Sequence, residues 1–201
     1  MTKTVDFIFD FASPNAYMCH KVLPEIAART GATFNYIPCL LGGIFKATGN
    51  QAPMMAFNGI KGKLDYDGLE MQRFIKKHNL SKFAMNPHFP VITLLMMRGA
   101  IAAEMDGRLM EYVDAGVAHM WEEGLKMDDP EVYAAAMTKA GFDGADLLAR
   151  TQDPAVKQKL VDNTSAAVER GAFGIPTFYV GKEMFFGKER LGQMEEEIMA
   201  S

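Results

Sequence analysis

An apolar run meets a Ser-Pro pair in the stretch Phe7-Ile-Phe-Asp-Phe-Ala-Ser-Pro-Asn-Ala-Tyr17. A short run of apolar and aromatic residues is typical of a buried strand. Because Ser is favoured at a helix N-cap and Pro at the first helical position, Ser13 and Pro14 predict a helix directly after this strand. The Ser13 hydroxyl is then expected at the positive end of the helix, where a thiolate or another anion is stabilised.

The sequence around Ser13 predicts a strand, a helix and a second strand. Residues 4–11 are predicted as a strand, residues 14–29 as a helix closed by Gly31, and residues 33–39 as a second strand. A strand, a helix and a second strand in this order indicate a right-handed parallel crossover. A short helix within residues 40–50 follows, and after it a Met-rich loop over residues 50–63, which is a usual place for functional residues.

The C-terminal part of the chain contains a segment predicted to lie opposite Ser13 and complete the same site. The segment Gly174-Ile-Pro-Thr-Phe-Tyr-Val180 is typical of a turn, a proline and a buried strand over 177–180, with a further strand at 183–186 and a last helix at 188–199. From about residue 64 to 153 apolar residues recur every three or four positions, which indicates helices throughout, two of them over 91–105 and 109–125. The fold class is α/β: a thioredoxin-like fold (1–60 and 154–201) that carries an all-helical insertion domain (61–153).

In a thioredoxin-like fold the proline at 176 is expected to be cis and to face the helix that begins after Ser13. A thioredoxin redox motif would need Cys at positions 13 and 16, where this chain has Ser13 and Ala16. The scaffold is therefore predicted without its dithiol, and a disulfide oxidoreductase is excluded.

Composition narrows the class of partner. The 201 residues are 49% hydrophobic and have a formal net charge of −4, without a block of Lys or Arg. This argues against nucleic acid or an anionic membrane as the main partner and favours small molecules. No apolar stretch approaches the ~18 residues of a membrane span, and Met-Thr-Lys-Thr precedes the first strand where a signal peptide would have its apolar region, so we expect a cytoplasmic protein.

The two cysteines, Cys19 and Cys39, fit neither a C-x-x-C motif nor a zinc-ligand spacing. Buried structural thiols are the favoured interpretation, because free Cys behaves as a small hydrophobe. No metal site is predicted.

Five motifs in order resemble a known family. They are the Phe-Asp-Phe-x-Ser-Pro start, Leu41-Gly-Gly-Ile-Phe-Lys46 with Gly49-Asn50, Asn86-Pro-His-Phe-Pro90, Ala172-Phe-Gly-Ile-Pro-Thr177 and Phe185-Phe-Gly-Lys-Glu-Arg190. Together they are similar to the DsbA-like branch that holds 2-hydroxychromene-2-carboxylate isomerase and the kappa-class glutathione transferases, in which Ser replaces the first Cys. The resemblance implies a glutathione-dependent enzyme, and members of the branch are often homodimers.

The resemblance also implies a glutathione site. Ser13 would be the catalytic residue whose hydroxyl donates to the glutathione sulfur, and the backbone of Ile175 would hold the cysteinyl unit like an added strand. The other implied glutathione contacts are Pro14, Asn15, Asn50, Lys61, Pro176, Lys188 and Glu189. Asn50 would bind one terminal carboxylate, and Lys188 and Glu189 would face the γ-glutamyl end.

A pocket for a second, aromatic substrate is predicted beside this site. Met54 and Phe57 lie in the loop after Asn50, and thioether side chains adapt well to flat ligands. His88 and Phe89 lie between two prolines, and His88 could transfer a proton or be purely structural.

The preferred function is isomerisation of an aromatic or unsaturated carboxylate by covalent catalysis, with glutathione regenerated. A kappa-like glutathione transferase or peroxidase would use the same Ser13 but release a conjugate or oxidised glutathione. A non-catalytic thioredoxin-fold binding module would bind glutathione without shifting the thiol pKa. For the two catalytic alternatives, the Ser13 hydrogen bond and the helix N-terminus together are expected to lower the pKa of the glutathione thiol by about 1.5 to 3 units.

Overall fold

The computed structural model describes residues 3–200; residues 1, 2 and 201 of the predicted thioredoxin-like part lie outside the described residues. Four strands and ten α-helices follow one another in this range. They are β1 (Thr4–Phe9), α1 (Pro14–Thr30), β2 (Thr33–Pro38), α2 (Leu41–Thr48), α3 (Pro53–Ala56), α4 (Lys63–Lys77), α5 (Leu94–Met105), α6 (Leu109–Trp121), α7 (Pro130–Lys139), α8 (Gly144–Arg150), α9 (Pro154–Glu169), β3 (Thr177–Val180), β4 (Glu183–Phe186) and α10 (Leu191–Ala200), with a 3₁₀ turn at Lys188–Arg190 before α10.

The strands form one mixed sheet in the order β2-β1-β3-β4. β1 pairs in parallel with β2 across the α1 crossover, as predicted, and antiparallel with β3. In this register Phe7 of β1 lies opposite Phe178 of β3, and their rings stack 4.5 Å apart. The pairing brings the end of β1 beside the start of β3, and thus Ser13 close to the segment that precedes β3.

β1 is shorter than the sequence predicts, because it ends at Phe9 and not at residue 11. The side chain of Asp10 accepts a hydrogen bond from the Ala12 backbone N–H at 2.9 Å, and the Asp10 carbonyl accepts one from Ser13 N–H at 3.3 Å. These local bonds replace strand pairing. They turn the chain directly into α1.

The helical part packs against this turn through one close contact. Gly116 of α6 faces the Phe11 ring, and a Cβ at that position would lie 2.5 Å from a ring carbon. Near the end of α6 the Trp121 indole N–H donates to the Phe11 carbonyl at 2.9 Å. Phe11 therefore fixes the position of α6 relative to the start of α1.

Two predicted helices have different ends in the structure. α5 begins at Leu94 and not at residue 91, and the Thr93 hydroxyl donates to Asp10 at 2.7 Å while making no cap bond to its own helix. α6 ends at Trp121 and not at residue 125, since Gly124 adopts a positive φ of 67°. Within residues 3–200 no helix is both long and apolar enough to cross a bilayer.

Candidate active site

Ser13 links the start of α1 to the loop before β3. Its side-chain oxygen accepts a hydrogen bond from Ala16 N–H at 3.2 Å, the expected N-cap bond, and its hydroxyl donates to the Ile175 carbonyl at 3.0 Å. The residue is only 5% exposed. Ser13 thus lies where the sequence predicts it, with its proton already engaged by a neutral acceptor.

The loop opposite Ser13 is held by its own bonds. The Ile175–Pro176 peptide is cis, as expected for this fold, and both residues are buried. Gly187 N–H donates to the Pro176 carbonyl at 3.0 Å, and the Thr177 hydroxyl donates to the Gly174 carbonyl at 2.8 Å. A ligand that binds here meets a backbone fixed at several points.

Asn15 leaves a polar atom without a partner in the first turn of α1. Its side-chain oxygen is buried and accepts no hydrogen bond within residues 3–200. Leaving such an acceptor unpaired costs about 1–3 kcal/mol. An N–H donor from a bound ligand would remove this cost, and glutathione, with two peptide N–H groups and an ammonium group, carries such donors.

Asp10 belongs to the site region, although sequence reasoning missed it. It is completely buried, and its carboxylate accepts hydrogen bonds from Ala12 N–H (2.9 Å), the Thr93 hydroxyl (2.7 Å) and Leu41 N–H (2.7 Å). Burial raises the pKa of Asp10 to about 6, although the three hydrogen bonds oppose this rise. One signal was available: an acid between two aromatic residues at the end of a predicted buried strand.

Asn50 reaches the loop that contains Ile175. Gly49 follows the last residue of α2 and turns the chain with its positive φ of 70°, and the Asn50 side-chain NH₂ donates to the Phe173 carbonyl at 3.5 Å. Lys61, further along the same loop, is exposed and forms no ion pair within residues 3–200. Asn50 is thus brought to the Ile175 loop, whereas among the described residues no hydrogen bond or ion pair connects Lys61 to it.

Lys188 and Glu189 are adjacent to each other but differ in exposure. The Lys188 side chain is 5% exposed, forms an ion pair with Glu189, and places its ammonium group 5.7 Å from the centre of the Phe74 ring. The Glu189 side chain is 51% exposed. Solvent can therefore reach Glu189, while the charge of Lys188 is already matched.

Within residues 3–200 no hydrogen bond, ion pair or ring contact joins the predicted second-substrate residues to one another. Met54 is 49% exposed, and Phe57 lies under the Lys63 ammonium at 4.9 Å. His88 is exposed, and its backbone N–H donates to the Asn86 side chain at 2.8 Å. Phe89 packs 5.9 Å from Trp121. Within residues 3–200 no hydrogen bond, ion pair or ring contact joins these side chains to Ser13.

The two cysteines are buried, and their electrostatics are those of inert thiols. Burial raises the pKa of Cys19 well above its usual value and that of Cys39 to about 12. The Cys39 thiol donates to the Asn163 carbonyl at 3.4 Å. Neither thiol has the lowered pKa of a reactive cysteine.

Comparison with known proteins decides the family. The model of the DSBA-like thioredoxin domain matches residues 4–199. The chain belongs to this family. The family relationship predicted from the five motifs is confirmed, and so is the thioredoxin-like α/β fold.

Two relatives and one solved structure make the relationship more specific. The chain is 30% identical to a 2-hydroxychromene-2-carboxylate isomerase of Pseudomonas putida, over 96% of this chain and 93% of the relative. It is 26% identical to glutathione S-transferase kappa 1 of Homo sapiens, over 95% and 88% respectively. A solved 2-hydroxychromene-2-carboxylate isomerase superposes with a TM-score of 0.82 at 28% identity, over 96% of this chain and 93% of that one. These relatives are enzymes, so the prediction of an enzyme of this isomerase and transferase group is confirmed.

Proposed function

We propose that this protein is a glutathione-dependent isomerase of an aromatic or unsaturated carboxylate, of the 2-hydroxychromene-2-carboxylate type. The relatives support the reaction class, and one geometric observation supports the site. The Ser13 hydroxyl lies at the N-terminus of α1 and donates to the Ile175 carbonyl on the opposing loop. A sulfur placed between these two elements would accept a hydrogen bond from the same hydroxyl.

When bound, glutathione supplies a thiolate that adds to an electron-poor carbon of the substrate. After the isomerisation the thiolate leaves, and glutathione is regenerated. The task of the protein is to keep that sulfur ionised. In free solution a thiol of pKa near 8.5 is only a few per cent thiolate at neutral pH. Ser13 lowers the pKa by donating to the charged sulfur, and the α1 N-terminus adds a favourable field.

The structure reduces the size expected for this effect. A hydrogen bond to a charged group is worth about 1.5–3 kcal/mol and a neutral one about 0.5–1.5, so exchanging the Ile175 carbonyl for a thiolate gains about 1–1.5 kcal/mol. The helix terminus adds about 0.3–1 kcal/mol. Since 1.36 kcal/mol is one pKa unit, the bound thiol is expected about 1 to 2 units below its free value.

The remaining glutathione contacts are proposed from position and exposure. Asn15 offers its unpaired side-chain oxygen, Asn50 offers an NH₂ beside the Ile175 loop, and Lys61 offers an unpaired cation. Glu189 would accept from the γ-glutamyl ammonium, while Lys188 holds Glu189 through their ion pair. Pro14, Ile175 and Pro176 would shape the walls that enclose the cysteinyl unit.

The aromatic substrate is proposed to lie against Met54, Phe57 and Phe89, with His88 available as a proton carrier. The half-exposed Met54 thioether supports this, because it offers an adaptable apolar surface to a flat ring. A homodimer and a cytoplasmic location remain predictions.

A transferase or peroxidase is the second candidate, supported by the similarity to the kappa-class transferases. One experiment separates the outcomes. The protein is incubated with 2-hydroxychromene-2-carboxylate, with and without reduced glutathione, and the products are separated from the substrate by liquid chromatography and analysed by mass spectrometry. An isomerase gives a product of unchanged mass only when glutathione is present and leaves the glutathione reduced.

Other products would contradict the isomerase. A conjugate of higher mass would indicate transfer, and oxidised glutathione formed when a hydroperoxide is supplied would indicate a peroxidase. Glutathione binding without turnover and with an unshifted thiol pKa would indicate the binding module. Ser13→Ala is the matched control, since it removes the donor while keeping the backbone.

A further inference from the structure

A second concave feature lies between α2, the first turns of α5, and α9. It is a groove of about 360 Å³, within the size range of small-ligand sites. We call it the α2–α5–α9 groove; its walls include Leu40, Lys46, Leu94, Arg98, Lys157 and Val161. None of the residues proposed for glutathione or the aromatic substrate lines it.

The floor of the groove is aliphatic. The Thr164 hydroxyl, which reaches it from α9, donates to the Leu160 carbonyl at 2.7 Å and accepts from Leu40 N–H at 3.0 Å. At Gly43 a Cβ would lie 3.1 Å from the Thr164 methyl group, so the missing side chain lets α2 approach α9 closely. The hydroxyl of Thr164 is thus satisfied internally, and the floor offers hydrocarbon contacts without an aromatic ring.

The charges around the groove are of one sign. Lys46 comes from α2, Arg98 from α5 and Lys157 from α9, and no acidic residue lines the groove. Within residues 3–200 none of these three side chains forms an ion pair or a hydrogen bond, although Arg98 is half-buried. In contrast, Arg108 in the groove beside β2 is paired with Glu111 at 2.7 Å.

Three unpaired cations over an aliphatic floor are complementary to an anion that carries a hydrocarbon body. We propose that the α2–α5–α9 groove binds a medium-chain alkyl carboxylate, with its chain on the floor and its carboxylate among Lys46, Arg98 and Lys157. The chain removes apolar surface from water, including that of Val161, which is 55% exposed. The carboxylate gains charge-assisted hydrogen bonds, for which the arginine fork is especially suited.

Calorimetric titration with sodium decanoate, below its micelle concentration, tests this proposal. The parent protein should bind one equivalent. Arg98→Gln and Lys157→Gln should each weaken binding by about two- to fivefold, the upper part of the range for a partly exposed charge pair. Val161→Glu places an anion at an exposed position in the groove and should abolish binding, while circular dichroism confirms that each variant is folded.

Matched controls make the result specific. Lys76→Gln removes an exposed lysine of α4 outside the groove and should leave decanoate affinity unchanged. Decylammonium, with the same chain and the opposite charge, should not bind. Ser13→Ala should bind decanoate as the parent does, so this result is independent of the glutathione site.

Three results would overturn the proposal. They are no decanoate binding to the parent protein, equal binding to the parent and to Val161→Glu, and equal binding of decanoate and decylammonium. The last would mean simple adsorption to an apolar surface.

Discussion

Replacing Asp10 by Asn tests whether one buried carboxyl makes stability depend on pH. Burial raises the pKa of Asp10 from 3.8 to about 6, so the folded protein favours the protonated form. A carboxyl with a raised pKa contributes its full stability below pH 3.8 and loses it as the pH rises through 6. The shift of about 2 units means that ionised Asp10 costs about 3 kcal/mol at pH 7.5 relative to the protonated form.

The size of the effect over an accessible range follows from these two pKa values. At pH 4.5 ionisation has already lowered the free energy of unfolding by about 1 kcal/mol. About 2 kcal/mol of stability is therefore lost between pH 4.5 and 7.5. Asp10→Asn has no such titration. The free energy of unfolding of Asp10→Asn, relative to the parent, should therefore rise by about 2 kcal/mol from pH 4.5 to 7.5.

Urea unfolding of both proteins at the two pH values measures this difference, and the other titrating groups cancel in the comparison. At a single pH the sign of the stability difference is less informative. The Asn NH₂ group would face one of the three N–H or O–H donors that Asp10 now accepts from, and leaving that donor unpaired costs about 1–3 kcal/mol. Thr93→Val is the matched control. It removes a hydrogen bond that lowers the pKa of Asp10, so the loss of stability with rising pH should become larger.

Equal differences at both pH values would refute the reasoning. So would a carboxyl resonance of Asp10 that titrates near its ordinary value in a carbon-detected NMR series. Either result would mean that the carboxylate is better solvated, or better bonded, than its complete burial indicates.

Three further predictions concern the site and its support. Ser13→Ala should keep glutathione affinity within about fivefold but raise the pKa of the bound thiol by about one unit, measured by thiolate absorbance in a pH series; an unchanged titration curve would contradict the role of Ser13. Asn50→Ala and Glu189→Ala should show the reverse, with affinity about ten- to a hundredfold weaker by calorimetry and the thiol pKa unmoved, because neither residue is proposed to touch sulfur; parent-like affinity in both would argue against the proposed tripeptide site. Gly116→Ala should destabilise the fold by about 1–3 kcal/mol in urea unfolding, since its methyl group would overlap the Phe11 ring; a change within about 0.5 kcal/mol would mean that α6 can move away freely.

Local chemistry explains which parts of the fold the sequence predicts well. The N-cap at Ser13 and the turn at Gly31 depend on neighbouring residues only, and both are found as predicted. The start of α5 depends on a distant residue, because the Thr93 hydroxyl bonds to Asp10, 83 residues earlier, and not to its own helix. No local pattern could contain that bond.

The same distinction applies to the functional features. Ser13 and Pro176 were recognised because each lies in a short motif of its own. Asp10 was missed because an acid inside an apolar run is informative only once its three donors are known. The α2–α5–α9 groove was missed because its three cations, on three helices, are more than 50 positions apart in the sequence, and each alone is typical of a solvated surface.

The hydrogen bond from Ser13 to the Ile175 carbonyl affects whether a bound sulfur is preferred as a thiolate or as a neutral group. Since the proton is already satisfied, an incoming sulfur must compete with a neutral carbonyl for it. A thiolate wins that competition, because hydrogen bonds to charged acceptors are roughly twice as strong as neutral ones, whereas a thiol or a thioether is a weak acceptor. Under the proposed function, an S-alkylated glutathione would therefore leave the serine bonded to the Ile175 carbonyl, and the site would discriminate against the alkylated form.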